Sequence, residues 1–111
     1  MSKGKQNPAL QRAYLSENTP KGNYYSVLIS FADYDTGHIE GKWGKNQAPT
    51  SPLGASGYHR LDASDESCVR LTFDENESCI LLSINQEYKR LSGELYNKQD
   101  GSKAHVVFNQ S

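Results

Sequence analysis

The amino-acid sequence predicts a single all-β domain, a small antiparallel β-barrel or strongly coiled sandwich of about 6–8 strands built from hairpins. From Tyr24 onward, apolar and polar residues alternate over short segments, and turn residues separate those segments. Gly41 and Gly93 lie inside two of the predicted strands. Because strand glycines permit the bends that a closing sheet needs, a barrel is favoured over a flat sandwich.

The first 22 residues differ from the rest of the chain. They are polar and include Pro8, Pro20 and Gly22, which predicts a flexible or partly helical arm over 1–22 ahead of a β domain over 23–111. Within the arm, PALQRAYL has proline at its first position and favours one or two helical turns.

A first hairpin is predicted from NYYSVLISFAD and GHIEGKW, joined by DYDTG. Gly37 supplies the positive φ that such a turn requires. With a bulged turn, Ile29 lies opposite Trp43 and Phe31 opposite Gly41. The expected inward residues of the first strand are Tyr25, Val27, Ile29 and Phe31.

A second hairpin follows the short strand SGYHRL, and consists of ESCVRLTFD and ESCILLSI. A turn at 74–77 places Phe73 opposite Ser78 and Leu71 opposite Ile80. The expected core face is Val69, Leu71, Phe73, Ile80, Leu82 and Ile84. Cys68 and Cys79 fall on positions too far apart for a disulfide, so both are expected to be free thiols.

The third hairpin is RLSGELYN and KAHVVFN around KQDGS. Asp-Gly in a two-residue loop is a strong hairpin signal. That loop places Leu95 opposite Val106 and Gly93 opposite Phe108. On the other face it makes Tyr96 and His105 direct neighbours.

Two segments, DTGHIEGKW and RLSGELYNKQDGSK, resemble hairpins of avidin-type and other calycin-like barrels, in which a glycine precedes an aromatic residue on an early strand. The resemblance covers two hairpins and implies a barrel fold. The chain lacks the later tryptophan-bearing strands of an avidin-type pocket, so the resemblance assigns no ligand and no residue roles.

The overall composition narrows the classes of function. The chain has 111 residues, 12 basic and 13 acidic, and a net charge of −1. This balance argues against nucleic acid as a partner, since nucleic-acid binding needs clustered Lys and Arg. No apolar run is long enough for a membrane span, and the start has no secretory signal, so a cytoplasmic protein is expected.

The segment 44–57 is the first candidate binding region. It is rich in Pro, Gly, Ser and amide residues, and unstructured loops of this length are uncommon in compact domains unless they are functional or disordered. Pro49 and Pro52 stiffen it, and Leu53 could contact the barrel or a partner. Trp43 and Tyr58 flank it and are expected to meet at its base.

Tyrosine is the second signal, since 7 of the 111 residues are Tyr. Tyr buries area at small entropic cost and keeps a polar end, which suits binding surfaces. Tyr24, Tyr58, Tyr88 and Tyr96 are expected to face away from the core. The predicted binding residues are Tyr25, Trp43, Pro49, Pro52, Leu53, Tyr58, His59, Arg60, Tyr96 and His105.

These observations favour a non-enzymatic module that binds a protein partner, of inhibitor, immunity or adaptor type, through the 44–57 loop and exposed tyrosines. A barrel for a carbohydrate or another small molecule is one alternative, and a small nuclease or hydrolase using His105 and a Glu is another. Self-association as a homodimer also stays open. No catalytic, metal-binding or cofactor-binding motif is present in the sequence.

Overall fold

A computed structural model describes residues 6–19, 22–33, 36–60, 67–83 and 88–111, and within these ranges it contains strands and no helix. Accordingly, none of the described residues forms an apolar helix long enough to cross a membrane. The strands are β1 (Ala13–Ser16), β2 (Tyr25–Ala32), β3 (His38–Lys45), β4 (Ser51–Pro52), β5 (Ser56–Arg60), β6 (Ser67–Thr72), β7 (Glu77–Ser83), β8 (Arg90–Asn97) and β9 (Lys103–Gln110).

Eight of the strands close into an antiparallel barrel, which confirms the predicted fold class. Around the barrel the order is β1-β9-β8-β7-β6-β5-β3-β2, and β2 pairs back onto β1. The two-residue strand β4 is an additional partner of β3. Closure gives the strands of the wall neighbours on both sides, so little backbone is left as an open sheet edge.

Side chains fill the interior of the barrel. Alternate residues of the strands point inward and form one continuous cluster. Its largest fully buried members include Tyr25, Tyr88, Phe108, Leu10 and Ile29. The buried Tyr14 hydroxyl has a partner, since it donates to the Tyr88 carbonyl at 2.8 Å.

Two glycines mark places where neighbouring backbones approach closely. A Cβ on Gly93 would lie 1.9 Å from the Ile80 carbonyl oxygen, and one on Gly41 would lie 2.1 Å from the Leu28 oxygen. The predicted registers place Phe31 opposite Gly41 and Phe108 opposite Gly93, but Ile29 and Val106 occupy those positions. The structure instead shows that each one lets an adjacent strand come near, which tightens the wall of the barrel.

The N-terminal segment differs from the expected arm. Residues 13–16 form β1, which joins β2 to β9, and Leu10 and Tyr14 are buried in the core. The expected helical turns reduce to one turn, in which the Asn7 carbonyl accepts from the N–H groups of Leu10 and Gln11. The apolar residues of this segment are therefore used to close the barrel.

In the first hairpin the predicted register is wrong. Val27, rather than Ile29, lies opposite Trp43, and Ile29 lies opposite Gly41. Phe31 lies opposite Glu40, one residue from the predicted register, and a β-bulge between Ile29 and Phe31 adds the second residue of the shift and interrupts the inward alternation. As a result, Ala32 is buried and Phe31 is only half-buried.

In the second hairpin the register is wrong by one residue. Leu71 lies opposite Cys79 and Arg70 opposite Ile80. The Asp74 side chain accepts from the N–H groups of Asn76 and Glu77, both at 2.8 Å, and this three-residue loop sets the pairing.

A one-residue slip in register exchanges the inward and outward faces of a strand. The inward residues of β7 are therefore Cys79, Leu81 and Ser83, whereas Ile80 and Leu82 face outward. Val69, Leu71 and Phe73 are buried as predicted, and Ile84 lies outside the described residues.

In the third hairpin the predicted register is wrong by two residues, so the faces are kept and the neighbours change. Gly93 lies opposite Val106, and Glu94, not Tyr96, lies opposite His105. The Asn97 N–H donates to the Ser102 carbonyl across a four-residue loop, in which Gly101 has a φ of 72°. The Asp-Gly pair thus ends a longer turn than the two-residue loop that was expected.

The two cysteines are free and lie on opposite faces of the sheet. Cys79 points into the barrel, where burial raises the pKa of its thiol. Cys68, on the outer side of β6, is half-buried and lies opposite Leu82.

We expect Gly93→Ala to lower the free energy of unfolding by about 1–3 kcal/mol, because the new methyl group would overlap the Ile80 backbone. Urea denaturation measures this change. The matched control is Ser92→Ala, on the same strand and half-buried, for which we expect a change below about 0.5 kcal/mol. Equal stability of Gly93→Ala and wild type would contradict the close approach of β7 and β8.

A second prediction concerns high pH. Burial raises the pKa of Tyr14 to about 12, whereas an unfolded tyrosine ionises near pH 10. The contribution of the neutral Tyr14 hydroxyl to the free energy of unfolding is fully present below pH 10. It is lost as the pH rises towards 12, because in that window Tyr14 ionises only in the unfolded chain. Between pH 9 and 11 we expect the stability difference between wild type and Tyr14→Phe to shrink by about 1 kcal/mol. The exposed Tyr96→Phe is the control, and the same pH dependence in both variants would contradict the prediction.

Candidate functional site

The 44–57 segment is more ordered than the sequence suggests. Gly44 and Lys45 complete β3, and β4 and the start of β5 pair with the same edge of β3. Between them, residues 46–50 form a tight connection in which the Asn46 N–H donates to the Tyr24 carbonyl at 2.8 Å. Ser26 also donates to the Gln47 carbonyl. The segment therefore lies against the outside of the barrel.

The three loop residues predicted to bind a partner have different environments. Pro52 is exposed, Pro49 is half-buried, and Leu53 packs against the core, with its N–H donating to the Gly41 carbonyl at 3.0 Å. Leu53 thus anchors the segment. Contact of Pro49 and Pro52 with a partner stays a prediction.

Trp43 and Tyr58 do not meet at the base of this segment. The Trp43 ring lies 5.0 Å from Phe73 and 6.5 Å from Tyr25, at one end of the barrel. Tyr58 packs edge-on against Tyr88 at 6.1 Å. Both of these tyrosines were expected to face outward, and both are buried. Tyr58 lies at an inward position of β5, whereas Tyr88 precedes β8 and enters the core, where its hydroxyl lies 2.9 Å from the Ser67 hydroxyl.

The other predicted binding residues are His59, Arg60, Tyr96 and His105. His59 is exposed and lies opposite Cys68. Arg60 ends β5, and its side chain lies outside what the structure describes. Tyr24 is half-buried, while Tyr96 and His105 are exposed.

One end of the barrel wall is incomplete, and we call the resulting depression the rim cleft. It has a volume of about 410 Å³. Thr19, Asn23 and Tyr25 line it on one side, and residues 102–105 line it on the other. The lining also includes Lys45, Glu77, Leu95 and Asn97.

The rim cleft forms because β1 is much shorter than β9. The β1–β9 ladder runs only from Tyr14 opposite Gln110 to Ser16 opposite Phe108, and the Glu17 N–H extends it by one bond to the Val107 carbonyl at 2.9 Å. The chain then leaves β9 in a turn closed by Thr19 and Asn23. Among the described residues, 103–106 have a strand neighbour only in β8.

The direction of the unpaired backbone groups follows from the ladder. The Gln110 N–H donates to Lys89 on the β8 side, whereas Val107 accepts from Glu17 on the β1 side. Backbone groups of successive residues in an antiparallel strand alternate between the two sides. The N–H and C=O of His105 and Lys103 therefore point to the open side of β9, which we call the β9 edge.

Glu77 is the central polar group of the rim cleft. Its side chain is only 12% exposed, and it accepts a hydrogen bond from the Tyr25 hydroxyl at 2.6 Å. The Lys45 ammonium lies 3.6 Å from the same oxygen and 5.6 Å from the centre of the Tyr25 ring. Burial, and then the hydrogen bond to Glu77, raise the pKa of the Tyr25 hydroxyl, so it stays a donor at neutral pH.

A second feature is apolar and lies on the outer wall. Ile80, Leu82 and Tyr96 are 56%, 43% and 38% exposed, and they lie on the adjacent strands β7 and β8. Arg70 on β6 and Glu94 on β8 flank Ile80. We call these five residues the outer β7 face.

Sequence reasoning predicted Tyr25, His105 and Tyr96 as binding residues; the first two line the rim cleft and Tyr96 lies on the outer β7 face. It did not single out Glu77, Lys45 or Lys103. Glu77 follows a turn and looks like a solvent-exposed residue in the sequence, and only the pairing of β6 with β7 brings it to Tyr25. The Glu94–His105 pair considered for hydrolysis lies side by side on the outer wall, with both side chains exposed.

Three comparisons with known proteins were made, and no family model, no curated protein and no solved structure matches the chain. In the part of the chain that the structure describes, no group of three His, Cys, Asp or Glu side chains could hold a metal ion.

We expect Tyr25→Phe to lower the free energy of unfolding by about 1.5–3 kcal/mol, because a nearly buried carboxylate would lose a charge-assisted hydrogen bond. Thermal and urea denaturation at pH 7 measure the loss. Glu77→Gln is the comparison, since its amide oxygen can still accept from Tyr25, and we expect it to cost less than Tyr25→Phe. A Tyr25→Phe protein as stable as wild type would contradict this account of the rim cleft.

Proposed function

We propose that the protein is a non-enzymatic binding module that holds an extended, acidic segment of a protein partner at the β9 edge, beside the rim cleft. The observation that carries the proposal is the half-paired β9, whose residues 103–106 lack a strand neighbour on one side among the described residues. Extended peptides bind such edges by adding a strand, with backbone hydrogen bonds supplying affinity.

The dimensions suit this mode of binding. Four residues of a β-strand span about 13 Å, which is enough for a short partner segment. Lys103 and His105 would hydrogen-bond to the segment through their backbone groups, while side chains of the segment would enter the rim cleft of about 410 Å³. Leu95 and Ala104 supply apolar surface in that cleft.

The charges favour an acidic segment. Lys45 and Lys103 line the rim cleft, and Glu77 is the acidic residue of the described lining. The Glu77 carboxylate already accepts from Tyr25 and lies near Lys45, whereas the Lys103 side chain is exposed. A carboxylate on the partner beside Lys103 would provide complementary charge.

A small polar molecule or carbohydrate in the rim cleft is the second candidate function. The volume lies within the range of small-molecule sites, and Asn23, Asn97 and Thr19 offer amide and hydroxyl groups to such a ligand. The interior of the barrel does not favour such a ligand, since side chains of the core cluster fill it. Binding of this kind would not depend on the backbone N–H groups of the β9 edge.

The test uses a capped peptide of alternating valine and glutamate, titrated into isotopically labelled protein and followed by NMR. We expect amide shifts over residues 103–106 and binding about tenfold tighter than that of the matched valine–lysine peptide. His105→Pro removes the edge N–H while leaving the bonds to β8, because proline is tolerated where that N–H faces away from the ladder. We expect this variant to bind the acidic peptide at least about tenfold more weakly.

His105→Ala is the matched control, since it removes the imidazole and keeps the N–H, and we expect its affinity to stay within about twofold of wild type. Thermal denaturation establishes that both variants fold. The proposal fails if the acidic peptide leaves the amides of 103–106 unshifted, or if His105→Pro binds it as wild type does. Equal binding of the two peptides would overturn the acidic specificity.

A further inference from the structure

The outer β7 face combines an exposed apolar column with opposite charges on its two sides. Ile80 and Leu82 follow each other on the outside of β7, in a groove of about 480 Å³. One cross-strand row places Arg70, Ile80 and Glu94 side by side on β6, β7 and β8. In this row the positive charge lies on one side of the column and the negative charge on the other. Lys103, opposite Tyr96 on β9, lines the groove on the Glu94 side but lies outside this row.

We infer that this face is the interface of a homodimer whose two-fold axis runs parallel to β7. Such a rotation places the column of one copy on the column of the other, so Ile80 and Leu82 each meet their own counterpart. It also exchanges the two flanks. Arg70 therefore lies opposite the partner's Glu94, and by symmetry Glu94 lies opposite the partner's Arg70.

The charge pattern selects this orientation over the alternative. With a two-fold axis perpendicular to β7 in the plane of the interface, Arg70 would face the partner's Arg70 and Glu94 would face the partner's Glu94. Like charges placed together across an interface cost several kcal/mol. Only the axis along β7 joins the apolar columns and brings opposite charges together at both flanks.

A second copy is the occupant that the outer β7 face fits best. A different protein would need an apolar column with acidic and basic flanks in matching order, and the chain itself provides that arrangement. Two barrel walls touch over a limited area, at the lower end of specific interfaces. We therefore expect a dimer with a dissociation constant on the order of 10 µM. The Arg70–Glu94 pairs of this dimer involve no residue that lines the rim cleft, although Lys103 lines both the cleft and the groove.

The experiment is sedimentation equilibrium on the full chain from about 1 to 300 µM. We expect wild type to dimerise, and we expect Arg70→Glu and Glu94→Arg each to weaken the dimer at least about tenfold, because each creates two like-charge contacts. An equimolar mixture of the two single variants should dimerise again. In that mixed dimer opposite charges face each other at both flanks. The double variant R70E/E94R should likewise dimerise as wild type does, because its charges are exchanged and still pair.

Two controls test the location of the interface. Leu82→Glu should abolish dimerisation, whereas Leu28→Glu, at an exposed leucine of similar accessibility on the opposite wall, should leave it unchanged. Recovery in the mixture shows that the single variants are folded. Wild type that is monomeric throughout the concentration range would overturn the inference. So would a dimer that Leu82→Glu leaves intact, or single variants whose mixture does not recover.

Discussion

The narrow interior of an eight-stranded barrel is the constraint on which the rest of the structure depends. A barrel of this size has an interior just wide enough for side chains, so every inward position must match its neighbours in volume. Here Tyr, Phe, Leu and Val residues fill that space, and the rings of Tyr25, Trp43 and Phe73 pack together at one end. Gly41 and Gly93 let adjacent strands approach closely enough to keep the wall tight. The volume of the core side chains and the close spacing of the strands therefore depend on each other.

Because the interior is occupied, the features that could recognise another molecule lie on the wall and at the rim. The rim cleft exists because β1 ends at Ser16, opposite Phe108, and leaves the first residues of β9 without a strand partner on that side among the described residues. The outer β7 face exists because Ile80 and Leu82 point towards solvent. The sequence predicted Tyr25, Tyr96 and His105 as binding residues but did not single out Glu77 or Lys45. Their importance depends on contacts between residues far apart in the chain, which no local pattern encodes.

The fold class and most strands could be predicted because alternation and turn residues are local signals. The pairings could not, since each register depends on the turn geometry. Asp74 accepts two backbone N–H groups and thereby shortens the second turn by one residue, which reverses the faces of β7. The bulge near Ile29 leaves no signature in the residue types around it. β1 was missed because a four-residue strand has too few positions to show alternation.

The pairing of β1 with β9 has a consequence for how the protein is made. These strands come from opposite ends of the described chain, so the barrel cannot close until the last strand has left the ribosome. Until then the nascent sheet presents β8 and β1 as two open edges, and such edges are prone to pair with other chains. Closure also requires β1 and β9 to pair although they are far apart in the sequence, and such contacts slow folding. The exposed edge strands of the unfinished barrel would therefore be natural substrates for a chaperone during synthesis.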